Sequence, residues 1–226
     1  METIISKERL RDPDFIRDHL VMHVVGAEKE KEKLEGFPVI QVEDLLLVFR
    51  IALPIMESHT MYLTLNADML KELGWTTEQL YEEARCCAPI NAPAILKPMQ
   101  TMLMDMCAPS EREEWKNLFE TGSSANVDRG PELYVGTVEE GGRGAACIFY
   151  PEFMKEAARK LGGFYILPSS IHEVILVRDT ADVKPLDLRR MVREINATVV
   201  SREDVLTDSV YHYSLKTKVF RRCLES

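Results

Sequence analysis

Strand-forming runs in this 226-residue chain come in pairs, and helices fall between the pairs. ELYVGTV (132–138) and AACIFY (145–150) are joined by the glycine-rich EEGGRG, the composition of a hairpin connection. FYILP (164–168) and IHEVILVRD (171–179) are separated by little more than Ser169-Ser170. The regular strand-helix alternation of a doubly wound sheet is missing. The pattern therefore predicts an α+β fold, with a mostly antiparallel sheet and helices inserted between strand pairs.

The remaining segments fit that frame. Asp12-Pro13 supplies an N-cap and a first-turn proline, and Ile16, Leu20 and Val24 recur at helical spacing, predicting a helix over 13–25. DLLLVFRIAL (44–53) has the composition of a strand buried on both faces. TMYLTLNADMLKELGW (60–75) reads as a strand, an Asn66 cap, a short helix and Gly74 in the left-handed region. Thr76 and Gln79 form a capping box for a helix that Pro89 is expected to stop. Ser110 with Glu113 opens another helix to about 119, and the loop TGSSANVDRGP (121–131) is the best internal boundary. Tyr150-Pro151 starts a helix ended by Gly162-Gly163. Leu188, Met191, Val192 and Ile195 trace the next, followed by a capped turn (Ser201 to Asp204) and the strand SVYHYSL (209–215). The expected division is an amino-terminal α+β half (1–121) and a carboxy-terminal half (132–214) in one joint domain, then a basic tail (215–226). In that tail Lys216, Lys218, Arg221 and Arg222 outweigh Glu225.

Composition narrows the function classes. Lys plus Arg is 28 and Asp plus Glu is 37, a net charge of −9, which opposes generic nucleic-acid binding. No window is apolar over eighteen residues, so no membrane span is expected. The five cysteines are odd in number and lack CxxC spacing, and the amino terminus lacks the apolar run of a signal peptide. A reducing cytoplasm is the expected location.

The densest polar cluster is Ser169, Ser170, His172 and Glu173. Hydroxyls beside an imidazole are the types nucleophilic catalysis needs, with Ser169 or Ser170 as nucleophile, His172 as base and a distant carboxylate such as Asp208 orienting the ring. On a strand Glu173 points away from His172, so the bland reading is a serine-capped turn. Gly141-Gly142-Arg143-Gly144 offers a backbone nest for an anion with Arg143 as counter-charge, or simply a hairpin turn. His19 and His23 have half of a zinc spacing without a third ligand. Glu43-Asp44 is read as strand-entry polarity, and Met99, Met102, Met104 and Met106 as core filling or an adaptable partner surface. No cofactor motif and no complete metal set is identified. The expected function is a non-enzymatic binding or regulatory module with an unknown protein partner or self-association. The alternatives are a small hydrolase or transferase using Ser169 or Ser170 with His172, and an anion or nucleotide binder using Gly142, Arg143 and Gly144.

The run LYVGTVEEGGRGAACIFYPEFMKEAARKLGGFYILPSSIHEVILV with LRRMVREINATVVSREDVLTDSVYHY resembles an uncharacterised bacterial domain-of-unknown-function family, common in anaerobic gram-positive gut bacteria. HLVMHVVGAEKEKEKLEGFPVIQVEDLLLVF and WTTEQLYEEA extend the similarity over about 15–214, and ILPSSIHEVIL is its most specific part. The resemblance implies a cytosolic bacterial protein of the accessory genome and brings no activity, cofactor or catalytic residue with it. The resemblance implies a further amino-terminal segment of strands and helix in the family, which this chain is expected to lack. A sheet edge left without that neighbour predicts self-association.

Overall fold

The computed structural model describes residues 6–56, 59–106, 133–139 and 142–224, with side chains in Leu103–Met106 and at Met56 left aside. Ser58, Cys107, the helix expected near 110–119, the boundary loop and Gly141 lie outside the described residues.

Asp12 caps α1 (Pro13–His19) by accepting from the Asp14 amide at 3.0 Å. The helix does not run to 25 as its spacing predicts. Leu20–Gly26 is a strand, β1, buried at every position. Its sequence LVMHVVG is apolar on both faces of a two-residue repeat, and full-length pairing with another strand satisfies its backbone. After α2 (Ala27–Glu30), β2 (Val39–Val42) turns at Glu43-Asp44, with Glu43 at φ 54°, into the long β3 (Leu45–Met56), which pairs next with β4 (His59–Thr64). This first sheet has β3 between β1 and β2, and β4 joins the far half of β3.

Asn66 caps α3 (Ala67–Leu73), which Gly74 ends at φ 70°. The Thr76–Gln79 capping box opens α4 (Thr77–Asn91). Pro89 lies inside α4 instead of stopping it, because Asn91 holds the last turn by donating to the carbonyls of Arg17 at 2.7 Å and Leu20 at 2.9 Å. Then come β5 (Ala94–Pro98), α5 (Met99–Met106), β6 (Leu133–Val138), α6 (Pro151–Leu161), β7 (Phe164–Leu167), β8 (Val174–Arg178), α7 (Pro185–Thr198), β9 (Tyr211–Ser214) and β10 (Val219–Arg222). The second sheet, in the order β10-β9-β7-β8-β6-β5, is antiparallel at every pairing. The architecture is α+β.

The expected strand AACIFY is instead a buried 3-10 segment, Gly144–Phe149. It docks end-on against the Ser169–Glu173 turn: Gly144 N donates to the His172 carbonyl at 2.9 Å and Ala145 N to Ile171 at 3.2 Å. With those amides engaged the segment does not form a hairpin with β6. Likewise the basic segment after 215 is not all tail, since Val219–Arg222 pairs with β9.

One core joins both sheets. Leu20, Met22, Leu47 and Phe49 of the first pack with Phe164, Ile166, Leu176 and Tyr211 of the second, and Ala145–Phe149 lie in the same cluster. Beyond the second sheet, α7 lays Leu188 and Val192 over Tyr165, Leu167 and Val177. Strand alternation puts the intervening residues of the first sheet on its opposite face: Val21, His23 and Val25 of β1, opposite Arg50, Val48 and Leu46 of β3. Leu34 and Val39 cover only the Val25, Leu46 and Val48 end of that face.

Gly144 is hemmed in on three sides. A Cβ there would lie 2.3 Å from Thr137 Oγ1, 2.4 Å from Val138 N and 2.9 Å from the His172 carbonyl. Gly144→Ala is expected to lower the unfolding free energy by about 1–3 kcal/mol, measured as a lower urea midpoint at unchanged m-value.

Candidate functional site

The fold brings together two groups of candidate residues. Thr137 Oγ1, at 2.8 Å, and Gly144 N both donate to the His172 carbonyl, which fixes the Gly142–Gly144 loop against the Ser169–Glu173 turn. A Cβ on Gly142 would stand 3.6 Å from His172 Nδ1. A third segment closes on them: Ile171 N donates to Asp204 O at 2.9 Å, and Leu206 N to Ser169 O at 3.0 Å.

Within this junction the Ser170 hydroxyl accepts from His172 N at 3.0 Å, a local turn bond of the kind serine commonly makes. The imidazole faces elsewhere. Its Nε2 lies 3.3 Å from Asp204 Oδ1, and Ser201 Oγ donates to Asp204 Oδ2 at 2.6 Å. The Ser201 hydroxyl and the His172 ring together hold the Asp204 carboxyl below its ordinary range. Neither Ser169 nor Ser170 hydrogen-bonds the ring, and Glu173 is exposed. Asp208, the carboxylate proposed to orient the ring, accepts from Asn196 Nδ2 at 2.8 Å instead.

Beside this dyad lies an electropositive cluster. Arg143 is half-buried, and its charge acts on Asp204 on one side and on Arg50 and His23 on the other. Arg50 comes from the middle of β3 and is also half-buried, yet neither guanidinium makes an ion pair or hydrogen bond with any described residue. The Nε of Arg50 is buried without an acceptor, and so is Nδ1 of His23. His23 is only 5% exposed, with its ring edge-on to Tyr62 at 4.7 Å between centroids. Burial, then the positive charges of Arg50 and Arg143, push the His23 imidazole down to a pKa of about 3, so it is neutral at pH 7. Burial and Arg143 likewise depress the proton affinity of Arg50, against smaller opposing effects of Glu30 and Tyr62.

A half-buried cation without an ion pair is only weakly compensated for its desolvation, and the two arginines repel each other. An oxyanion between them would satisfy both through charge-assisted, fork-shaped hydrogen bonds. The Gly144 amide is already spent on His172, so the anion would be gripped by side chains and not by a backbone nest. His19 takes no part: its Nδ1 lies 2.9 Å from the Phe15 carbonyl on α1, and His23 sits on a strand, so the pair does not share a helix face. Among the described residues no three His, Cys, Asp or Glu side chains converge on a point, and no helix is long and apolar enough to cross a membrane.

Sequence reasoning missed Arg50 and Asp204. Arg50 had a visible signal, a lone charge inside the apolar run LLLVFRIAL. Asp204 had none, because only the pairing of Ser170 with Val205 brings it to His172.

The neutral imidazole has a pH signature. The unfolded chain takes up a proton near pH 6.5 and the folded chain only near 3, so stability falls as pH drops through that window, by about 1.4 kcal/mol per unit. In phosphate-free buffer His23→Phe is expected to remove this loss, so that urea midpoints of wild type and variant diverge between pH 6 and pH 4, roughly the span set by the two pKa values.

No curated protein and no solved structure matches the chain. A family model described as a family of unknown function, DUF5688, matches residues 1–215, and the chain belongs to that family.

Proposed function

We propose that this protein is a binding module whose ligand presents an oxyanion, a phosphate or carboxylate group, to Arg50 and Arg143. The observation that carries the reading is the absence of any partner for either guanidinium among the described residues, beside a buried imidazole whose Nδ1 is also unpartnered. Arg143 makes the link to the Gly142–Gly144 loop, and Asp204 holds His172 at the rim, where 46% exposure of that side chain leaves it open to the ligand. The same reading keeps the protein in a bacterial cytoplasm, supported by the free thiols of Cys86, Cys87, Cys147 and Cys223.

A second reading, a small hydrolase or transferase, is favoured by the His172–Asp204 pair, which is how a general base is oriented. Ser170 would have to release the His172 amide before acting as nucleophile. Turnover of p-nitrophenyl phosphate or p-nitrophenyl acetate that His172→Ala abolishes would establish this reading and overturn a purely binding role.

Two outcomes test the anion site. Inorganic phosphate at about a hundred times its Kd is expected to stabilise the fold by about 2.7 kcal/mol, several degrees in Tm, beyond sodium chloride of equal ionic strength. Arg143→Ala and Arg50→Met should each abolish that rise. Without phosphate, Arg50→Met should match or exceed wild-type stability, since methionine fills similar space without an uncompensated charge. A phosphate response no larger than that of chloride would overturn the proposal.

A further inference from the structure

A cleft of about 640 Å³ lies away from this site, between α4, α6 and the β9–β10 hairpin. Its walls are aromatic: Tyr81, Phe149, Tyr150, Tyr213 and Phe220. Four cations also line it, Arg85, Lys155, Lys218 and Arg221, against the single carboxylate of Glu152. Three of them make ion pairs, Arg85 with Glu82 at 3.2 Å, Lys155 with Glu152 at 3.2 Å and Arg221 with Glu43 at 3.6 Å, each with at least one strongly exposed member. Such pairs exchange partners at little cost.

Two polar features of the cleft lack a side-chain partner among the described residues. No side chain caps α6, an eleven-residue helix that starts at Pro151. The hydroxyl of Tyr150, a residue only 2% exposed, makes no hydrogen bond among the described residues. Both suit a carboxylate.

The cleft also borders an open strand edge. Among the described residues β10 pairs with β9 alone. Cys223 N donates to Val210 O at 2.8 Å, which makes that pair a hydrogen-bonded one, so alternation turns the backbone groups of Arg222 and Phe220 outward. Val219, 44% exposed, and Leu215, 53% exposed, are apolar residues beside that edge.

We infer that this cleft receives an extended acidic peptide of a partner protein, which adds as a strand to β10 and sets an apolar side chain among the aromatic walls. A second copy of the chain is a poorer occupant, because edge-to-edge pairing of two β10 strands would juxtapose Lys218, Arg221 and Arg222 with their own copies. The overall charge of −9 disfavours nucleic acid.

A fluorescein-labelled peptide of alternating Glu and Phe or Val tests this by anisotropy. Saturable binding to the full chain is expected, at least tenfold weaker for the surface variant Arg85→Glu/Lys155→Glu at unchanged Tm. Amide exchange at Phe220 and Arg222 should slow on binding. Equal binding of the matching Lys peptide, equal binding by the variant, or unchanged exchange at both amides would overturn the inference. So would a dimer in sedimentation that the variant dissociates, which would assign the cleft to a second copy.

Discussion

Asp44 ties the two sheets together. It sits at the β2–β3 turn of the first sheet and accepts from three hydroxyls more than 160 residues away: Thr207 at 2.6 Å, Ser209 at 2.7 Å and Tyr211. Its carbonyl takes the Ala27 amide at 2.9 Å, and Arg222 stands 3.8 Å from the carboxylate. Burial works to raise the pKa of this group, but the hydroxyls outweigh it and hold the carboxyl below its usual value. Much of the site follows from that anchor. Tyr211 is drawn fully into the core between the sheets, and the chain before it is brought against β1 so closely that a Cβ on Gly26 would stand 2.2 Å from the Leu206 carbonyl. The turn from Ser201 to Leu206 is thereby held where it can grip the Ser169–Ile171 backbone and aim Asp204 at His172.

The contrast between Asp44 and the arginine pair is the physical basis of the functional reading. Asp44 is a half-buried charge with a donor on every side, the usual condition for a charge inside a fold. Arg50 and Arg143 are half-buried charges with none, close enough for Arg143 to depress the proton affinity of Arg50. The charge at Asp44 is satisfied within the fold, whereas the guanidinium groups of Arg50 and Arg143 have no partner among the described residues, which is what the proposed anion would supply. Since the same loop carries Arg143 and abuts His172, a ligand held by the arginines would lie beside an imidazole that a carboxylate orients.

Much of the fold was legible in the sequence because its signals are local. The caps at Asp12, Asn66 and Thr76, the left-handed Gly74 and the closely spaced strands of the carboxy-terminal half all act within a few residues. The errors came where tertiary pairing overrode a local pattern. Ile16, Leu20 and Val24 have helical spacing, but β3 offered Leu20–Gly26 a full-length partner, and AACIFY has strand composition, but its first amides are captured by the Ser169–Glu173 turn. For the site, the residue types around Arg143 and His172 were recognisable, whereas their meeting was not. It depends on Asp204 and Arg50, which lie 61 and 93 residues from Arg143 in sequence and reach it only through the clamped turn and the β1–β3 register.

The central claim is that Arg50 and Arg143 share one anion, and arginine side-chain NMR tests it most directly. In a titration with inorganic phosphate at constant ionic strength, the Nε–H resonances of Arg50 and Arg143 should move together on one saturating curve, while that of the exposed Arg190 drifts little. Resonances of Arg50 and Arg143 that stay with Arg190, or that follow two unrelated curves, would contradict the account.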